Sequence, residues 1–200
     1  GHAVGAFKIR GGLTYFEQLA QRGALPREVI SATRGNHGQS VGWAARAHGV
    51  ACTIVVPHGN SLEKNAAMRA LGVTLIEHGD DFQAAREHAQ QLAERRGAHM
   101  VPSFHPALIS GVSTYWWEFF KAVPQLDVVY VPIGLGSGVC AAIAAKLGLG
   151  HRARIVGAAS TGATTYADSL AAGHVVESQI TTRLADGMAV RVAAATPLAG

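Results

Sequence analysis

The feature that most constrains this chain is a regular alternation of short β-branched runs with longer helical patterns, most changes being marked by glycine. Glu28–Ser31, Ala51–Val56, Val73–Glu77 and His99–Val101 predict strands. Between them, Ser40–His48, Ser61–Leu71 and Phe82–Arg96 predict helices, stopped by Gly49, Gly72 and Gly97. Ser61 is the N-cap of its helix, with Lys64 where a capping box would have Glu or Gln. Strands joined through helices lie parallel, as βαβ units. Upstream, Thr14–Arg22 predicts a helix ended by Gly23. Downstream, Ser110–Lys121, Ala141–Leu147 and Thr165–Ala172 predict helices around the strands Asp127–Val131 and Arg154–Ala158. The expected fold class is therefore α/β, with two lobes built on open, mostly parallel sheets. Residues 31–115 form the smaller lobe, and residues 1–30 with 116–200 the larger.

Composition narrows the function classes. The chain is 48% hydrophobic and 15% charged, with 24 glycines, which suits a packed α/β protein. The net charge is +4, and no basic run is longer than the pair Arg95-Arg96, so no nucleic-acid partner is expected. No apolar run reaches the ~18 residues of a membrane span, and no membrane partner is expected. Cys52 and Cys140 read as small buried hydrophobes, without a disulfide or zinc pattern, which makes the reducing cytoplasm the expected location. The ten histidines are scattered, and no metal is expected from them. The chain opens directly on a motif and closes at Ala194–Gly200 without a final helix, so it reads as a piece of a longer protein, incomplete at both ends. In the helix Ser110–Lys121, Trp116, Trp117, Phe119 and Phe120 read as core or lobe interface rather than a ligand cage.

Three segments carry potential chemistry. In Gly5-Ala6-Phe7-Lys8-Ile9-Arg10-Gly11-Gly12, the apolar neighbours Phe7 and Ile9 would lower the pKa of Lys8 towards that of a nucleophilic amine, though the spacing equally fits a solvated lysine. Ser31-Ala32-Thr33-Arg34-Gly35-Asn36-His37-Gly38-Gln39 joins a strand to a helix. Its N–H groups and the Asn36 amide suit a carboxylate or phosphate, and an ordinary β–α turn fits too. Pro132-Ile133-Gly134-Leu135-Gly136-Ser137-Gly138 leaves a strand and opens a helix. Its alternating glycines suit a phosphate, with Ser137 adding a hydroxyl; a plain tight turn is the other reading. The pattern is neither the dinucleotide fingerprint nor a Walker loop.

In order and spacing these segments resemble the fold-type II pyridoxal-phosphate enzymes, in particular the threonine and serine dehydratases and serine racemase. Val56-Pro57 through Lys64, Arg69 and Gly72 resembles that family's small-domain helix, and Ala185-Asp186-Gly187 one of its short motifs. The resemblance implies the tryptophan synthase β-subunit-like fold, with pyridoxal 5'-phosphate as cofactor and Lys8 as the catalytic lysine that carries it. Phe7, Asn36, Gly134, Leu135, Gly136, Ser137 and Gly138 would complete the cofactor site, and Thr33, Arg34, Gly35, Asn36 and His37 would bind an amino-acid substrate. The implied activity is an ammonia-lyase deaminating a threonine- or serine-like β-hydroxy amino acid to a 2-oxo acid and ammonia, in a cytoplasmic enzyme that forms a homodimer. Another ammonia-lyase, a β-replacing synthase and a non-catalytic cofactor-binding remnant remain open alternatives.

Two departures matter. Ala159 and Thr165 stand where relatives with a divalent-cation site have acids, so no metal is expected there. Arg34 stands where dehydratases typically have Ala and serine racemase has Ser. An arginine is a poor proton shuttle but a good bidentate partner for a second substrate carboxylate. A side chain turned to solvent or to a neighbouring acid is the other expectation.

Overall fold

The structure, a computed structural model, describes residues 5–182 and 185–193. The expectations resting on Gly1–Val4 and Ala194–Gly200 lie outside the described residues. In chain order the elements are α1 (Lys8–Gln21), β1 (Glu28–Ala32), α2 (Asn36–Ala47), β2 (Ala51–Val56), α3 (Leu62–Ala70), β3 (Thr74–Glu77), α4 (Phe82–Arg96), β4 (His99–Met100), α5 (Pro106–Ala122), β5 (Val128–Pro132), α6 (Ser137–Leu149), β6 (Arg154–Ala158) and α7 (Thr165–Ala172), followed by a 3-10 turn, Asp186–Met188. The chain divides into two compact units, Gly1–Gly111 and Val112–Gly200.

The first unit is built on a four-stranded sheet of order β3-β2-β1-β4, in which every pairing is parallel. Its central strands are covered on both faces, which explains their continuous apolar sequences. On one face Val29, Cys52, Ile54 and Val56 pack with Phe16 of α1, Val41, Ala44 and Ala45 of α2, and Met68 of α3. On the other, Ile30, Ala32 and Val55 meet Ala85, Ala89, Leu92 and Ala93 of α4. Asp81 caps α4, accepting the Ala84 N–H at 2.8 Å, and Ser61 caps α3, accepting that of Lys64 at 3.4 Å.

The second unit contains the parallel pair β5-β6, with Val128 opposite Arg154. Trp116 and Phe120 are buried and stack with ring centroids 5.6 Å apart. Trp117 and Phe119 from the same helix are partly exposed, so the aromatic cluster supplies core on one side only. Cys52 is buried as expected, whereas Cys140 is only partly buried.

The strands fall close to their expected bounds, but several helices begin early. α1 starts at Lys8 instead of Thr14, α2 at Asn36 instead of Ser40, and α6 at Ser137 instead of Ala141. Each added turn contains glycine, the weakest helix former after proline by about 1 kcal/mol relative to Ala. Packing offsets that cost. A Cβ on Gly12 would strike Ser40, and one on Gly38 would strike Met68 and Thr33. The glycines that read as loop are thus the positions where helix and neighbour approach most closely.

Candidate active site

Lys8, Asn36 and Ser137 are each the first residue of a helix, α1, α2 and α6 respectively. None of these three helices has a side-chain N-cap or an acidic residue in its first turn. By contrast, α3 is capped by Ser61 and carries Glu63, and α4 is capped by Asp81. A helix start has unsatisfied N–H groups and a partial positive charge that a local acid usually complements. The motif-bearing helices lack that complement.

In the first unit the Lys8 ammonium lies 5.6 Å from the centroid of the Phe7 ring. Burial lowers its pKa from the usual lysine value to about 8. Ser40 of α2 fixes the backbone here: its hydroxyl donates to the Lys8 carbonyl at 2.5 Å and accepts the Gly12 N–H at 3.1 Å. The lysine is therefore anchored to the helix that begins at Asn36.

Within the loop entering α2, Thr33 Oγ1 accepts the N–H groups of Gly35 and Gly38, at 2.9 and 3.3 Å. Those two amides are engaged by the protein itself. The N–H groups of Asn36 and His37 are first-turn donors with no acceptor inside the helix. The Asn36 side chain is exposed, whereas His37 is buried. The Ser31 hydroxyl donates to the Val101 carbonyl at 2.8 Å, and His37 Nε2 lies 3.2 Å from Ser31 Oγ. A serine has one proton to give, so towards His37 it accepts; Nε2 carries the ring proton and Nδ1 is the acceptor. Burial first, and the positive charge of Lys8 second, push the His37 pKa down to about 3, so the ring is neutral.

The glycine loop belongs to the second unit. Gly136 takes φ +94°, a left-handed conformation that favours glycine. Tyr166 donates to the Leu135 carbonyl at 2.7 Å, and Trp116 Nε1 to that of Gly138 at 3.2 Å. A Cβ on Gly134 would stand 2.5 Å from the Gly187 carbonyl oxygen, so Ala185-Asp186-Gly187 is packed directly on the loop. Ser40 and Tyr166 escape a motif-based reading and leave no trace in the sequence; Ser31 heads the quoted loop segment, but its bond to His37 is not legible there.

A family profile described as pyridoxal-phosphate dependent enzyme matches residues 1–199. The chain belongs to this family. Pyridoxal phosphate is the family's cofactor. The L-threonine ammonia-lyase of Geobacter sulfurreducens is 36% identical over 190 residues, covering 94% of this chain and 47% of that protein. Threonine dehydratase of Nicotiana attenuata is 35% identical, covering 94% of this chain and 31% of its own length. Among solved structures, the processed form of threonine deaminase isoform 2 from Solanum lycopersicum matches with a TM-score of 0.88 and 30% identity, over 99% of this chain and 58% of that one. Maize serine racemase matches with a TM-score of 0.86 and 28% identity, over 98% of this chain and 60% of that one. The chain thus spans less than half of the two curated relatives and under two thirds of the two solved chains. The α/β architecture with parallel sheets is that of these pyridoxal-phosphate enzymes.

The residues present suit that cofactor chemically. A phosphate fits a glycine-lined helix start with no acidic first turn. An aldehyde carbon needs a neutral amine, and burial brings the Lys8 amine to a pKa of about 8. Among the described residues no group of three or more His, Cys, Asp or Glu could hold a metal ion, and no helix is long and apolar enough to cross a membrane.

Proposed function

We propose that the complete protein is a pyridoxal-phosphate-dependent ammonia-lyase that converts a threonine- or serine-like amino acid to a 2-oxo acid and ammonia. The observation that carries this reading is the 36% identity to an L-threonine ammonia-lyase along 94% of the chain. The desolvated Lys8 amine supports it.

In this reading Lys8 carries the cofactor, beside Phe7. Gly134, Leu135, Gly136, Ser137 and Gly138 hold its phosphate, and the Asn36 amide hydrogen-bonds its ring. When bound, the cofactor supplies an electron sink for charge developing at the substrate α-carbon. The protein does the rest. The N–H groups of Asn36 and His37, at the start of α2, receive the α-carboxylate. Thr33 and Gly35 shape the loop that presents them, since Thr33 ties back two of its amides. His37 stays neutral and holds the turn through Ser31. The neutral Lys8 amine takes the α-proton, and the β-hydroxyl departs as water. The released enamine then tautomerises and hydrolyses to the 2-oxo acid and ammonia.

The larger lobe formed by residues 1–30 and 116–200, the smaller lobe of residues 31–115, a homodimeric assembly and a cytoplasmic location belong to the same proposal. The test is ammonia and 2-oxo acid release from threonine and serine by the full-length protein, against Lys8→Ala. Stoichiometric release that disappears in the variant is the expected result. Cofactor binding without release of either product would leave only a cofactor-binding role.

A further inference from the structure

Arg34 lies in the turn between β1 and α2, directly before the helix start assigned above to the substrate α-carboxylate. Its Nε is shielded from solvent and has no hydrogen-bond partner among the described residues. A guanidinium N–H that is buried without an acceptor is costly, and native proteins seldom leave one so. A side chain simply turned to solvent would expose this atom, so that expectation does not hold for Nε. The surrounding sequence offers no local acid either: from Val29 to Leu62 there is no Asp or Glu.

Two further cationic side chains belong to this region. The Lys8 ammonium is close enough to depress His37. The Lys64 methylene chain crosses the turn at Gly35, where a Cβ would come within 2.6 Å of Lys64 Cδ. The turn therefore combines two kinds of anion receptor. One is the pair of first-turn N–H groups of Asn36 and His37; the other is a guanidinium whose buried Nε has no acceptor. A simple monocarboxylic amino acid needs only the first.

We infer that Arg34 is a specificity-determining residue which binds a second anionic group, on the side chain of the substrate, so that the preferred substrate is an acidic β-hydroxy amino acid. A guanidinium offers paired N–H donors matched to a carboxylate, a geometry that neither Lys nor a neutral amide reproduces. This inference rests on the proposed function for the site, but its test does not require turnover.

The experiment is calorimetric titration of the full-length holoenzyme with L-aspartate and L-alanine, which share the α-amino acid head and lack a β-leaving group. The expected result is an aspartate affinity about ten- to a hundredfold above that of alanine, the range of a charge-assisted bidentate pair. Arg34→Gln, close in length but uncharged, should lose that preference while alanine affinity stays within about threefold, and Arg34→Lys should recover only part of it. Equal affinities in the wild type overturn the inference, with no variant needed. So does an Arg34→Gln protein that weakens both ligands alike, because the arginine then serves the α-carboxylate or the fold. The two proposals fail separately. Aspartate preference without deamination of any hydroxy amino acid sinks the reaction but leaves the Arg34 site; threonine turnover without aspartate preference does the reverse.

Discussion

The Ser40 hydroxyl donates to the carbonyl oxygen of Lys8 across 2.5 Å, and through this bond the start of α1 is held against the first turns of α2. Ser40 Oγ in turn accepts the Gly12 N–H, so one buried side chain ties two helices at the residue proposed to carry the cofactor. Replacing it leaves two backbone groups without that partner. Ser40→Ala should destabilise the protein by about 1–3 kcal/mol, measured by urea denaturation at neutral pH. A midpoint within error of wild type would mean that these groups find water instead.

Lys8 should titrate with a midpoint near about 8. In cofactor-free protein, its labelling by an amine-reactive reagent, followed by peptide mass spectrometry, should rise through that pH while exposed lysines respond nearer the usual value. The sign for stability follows. The folded pKa lies below the unfolded one, so between about 8 and 10.5 the unfolded chain holds more protons, and stability rises with pH across that window. Lys8→Met should remove this rise.

His37 makes the opposite end of the pH range informative. Its folded pKa is pushed down to about 3 from an ordinary 6.5. Between those values the unfolded chain takes up the proton and the folded one does not, so stability falls as pH drops, by up to about 1.4 kcal/mol per pH unit. Denaturation midpoints for His37→Gln between pH 7 and pH 4 should decline less steeply than those of wild type. Parallel slopes would show that other groups dominate acid unfolding.

Gly134→Ala would bring a methyl group to 2.5 Å from the Gly187 carbonyl oxygen. The contact is to backbone, so the loop or the Ala185–Gly187 segment must shift, at about 1–3 kcal/mol. The expected outcome is a lower melting temperature with pyridoxal-phosphate affinity weakened at least tenfold. Unchanged cofactor titration would place the phosphate elsewhere.

The sequence by itself determined the βαβ alternation, because period and apolar content follow from burial of both sheet faces. It also singled out Lys8, the Thr33–His37 turn and the Gly134–Gly138 loop, because their order and spacing resemble the family's, although each alone fits an ordinary residue or turn. Only the tertiary structure decided where α1, α2 and α6 begin. Local propensity counts glycine against a helix, and the compensating contacts of Gly12 with Ser40 and of Gly38 with Met68 come from residues distant in sequence. The protonation of His37 was hidden for the same reason. It depends on burial first and on the charge of Lys8 second, while the ring's orientation depends on Ser31, itself bonded to the Val101 carbonyl 70 residues further along. Residue types reveal which chemistry is available, while desolvation and hydrogen-bond partnership, which set pKa and orientation, exist only once distant segments have packed.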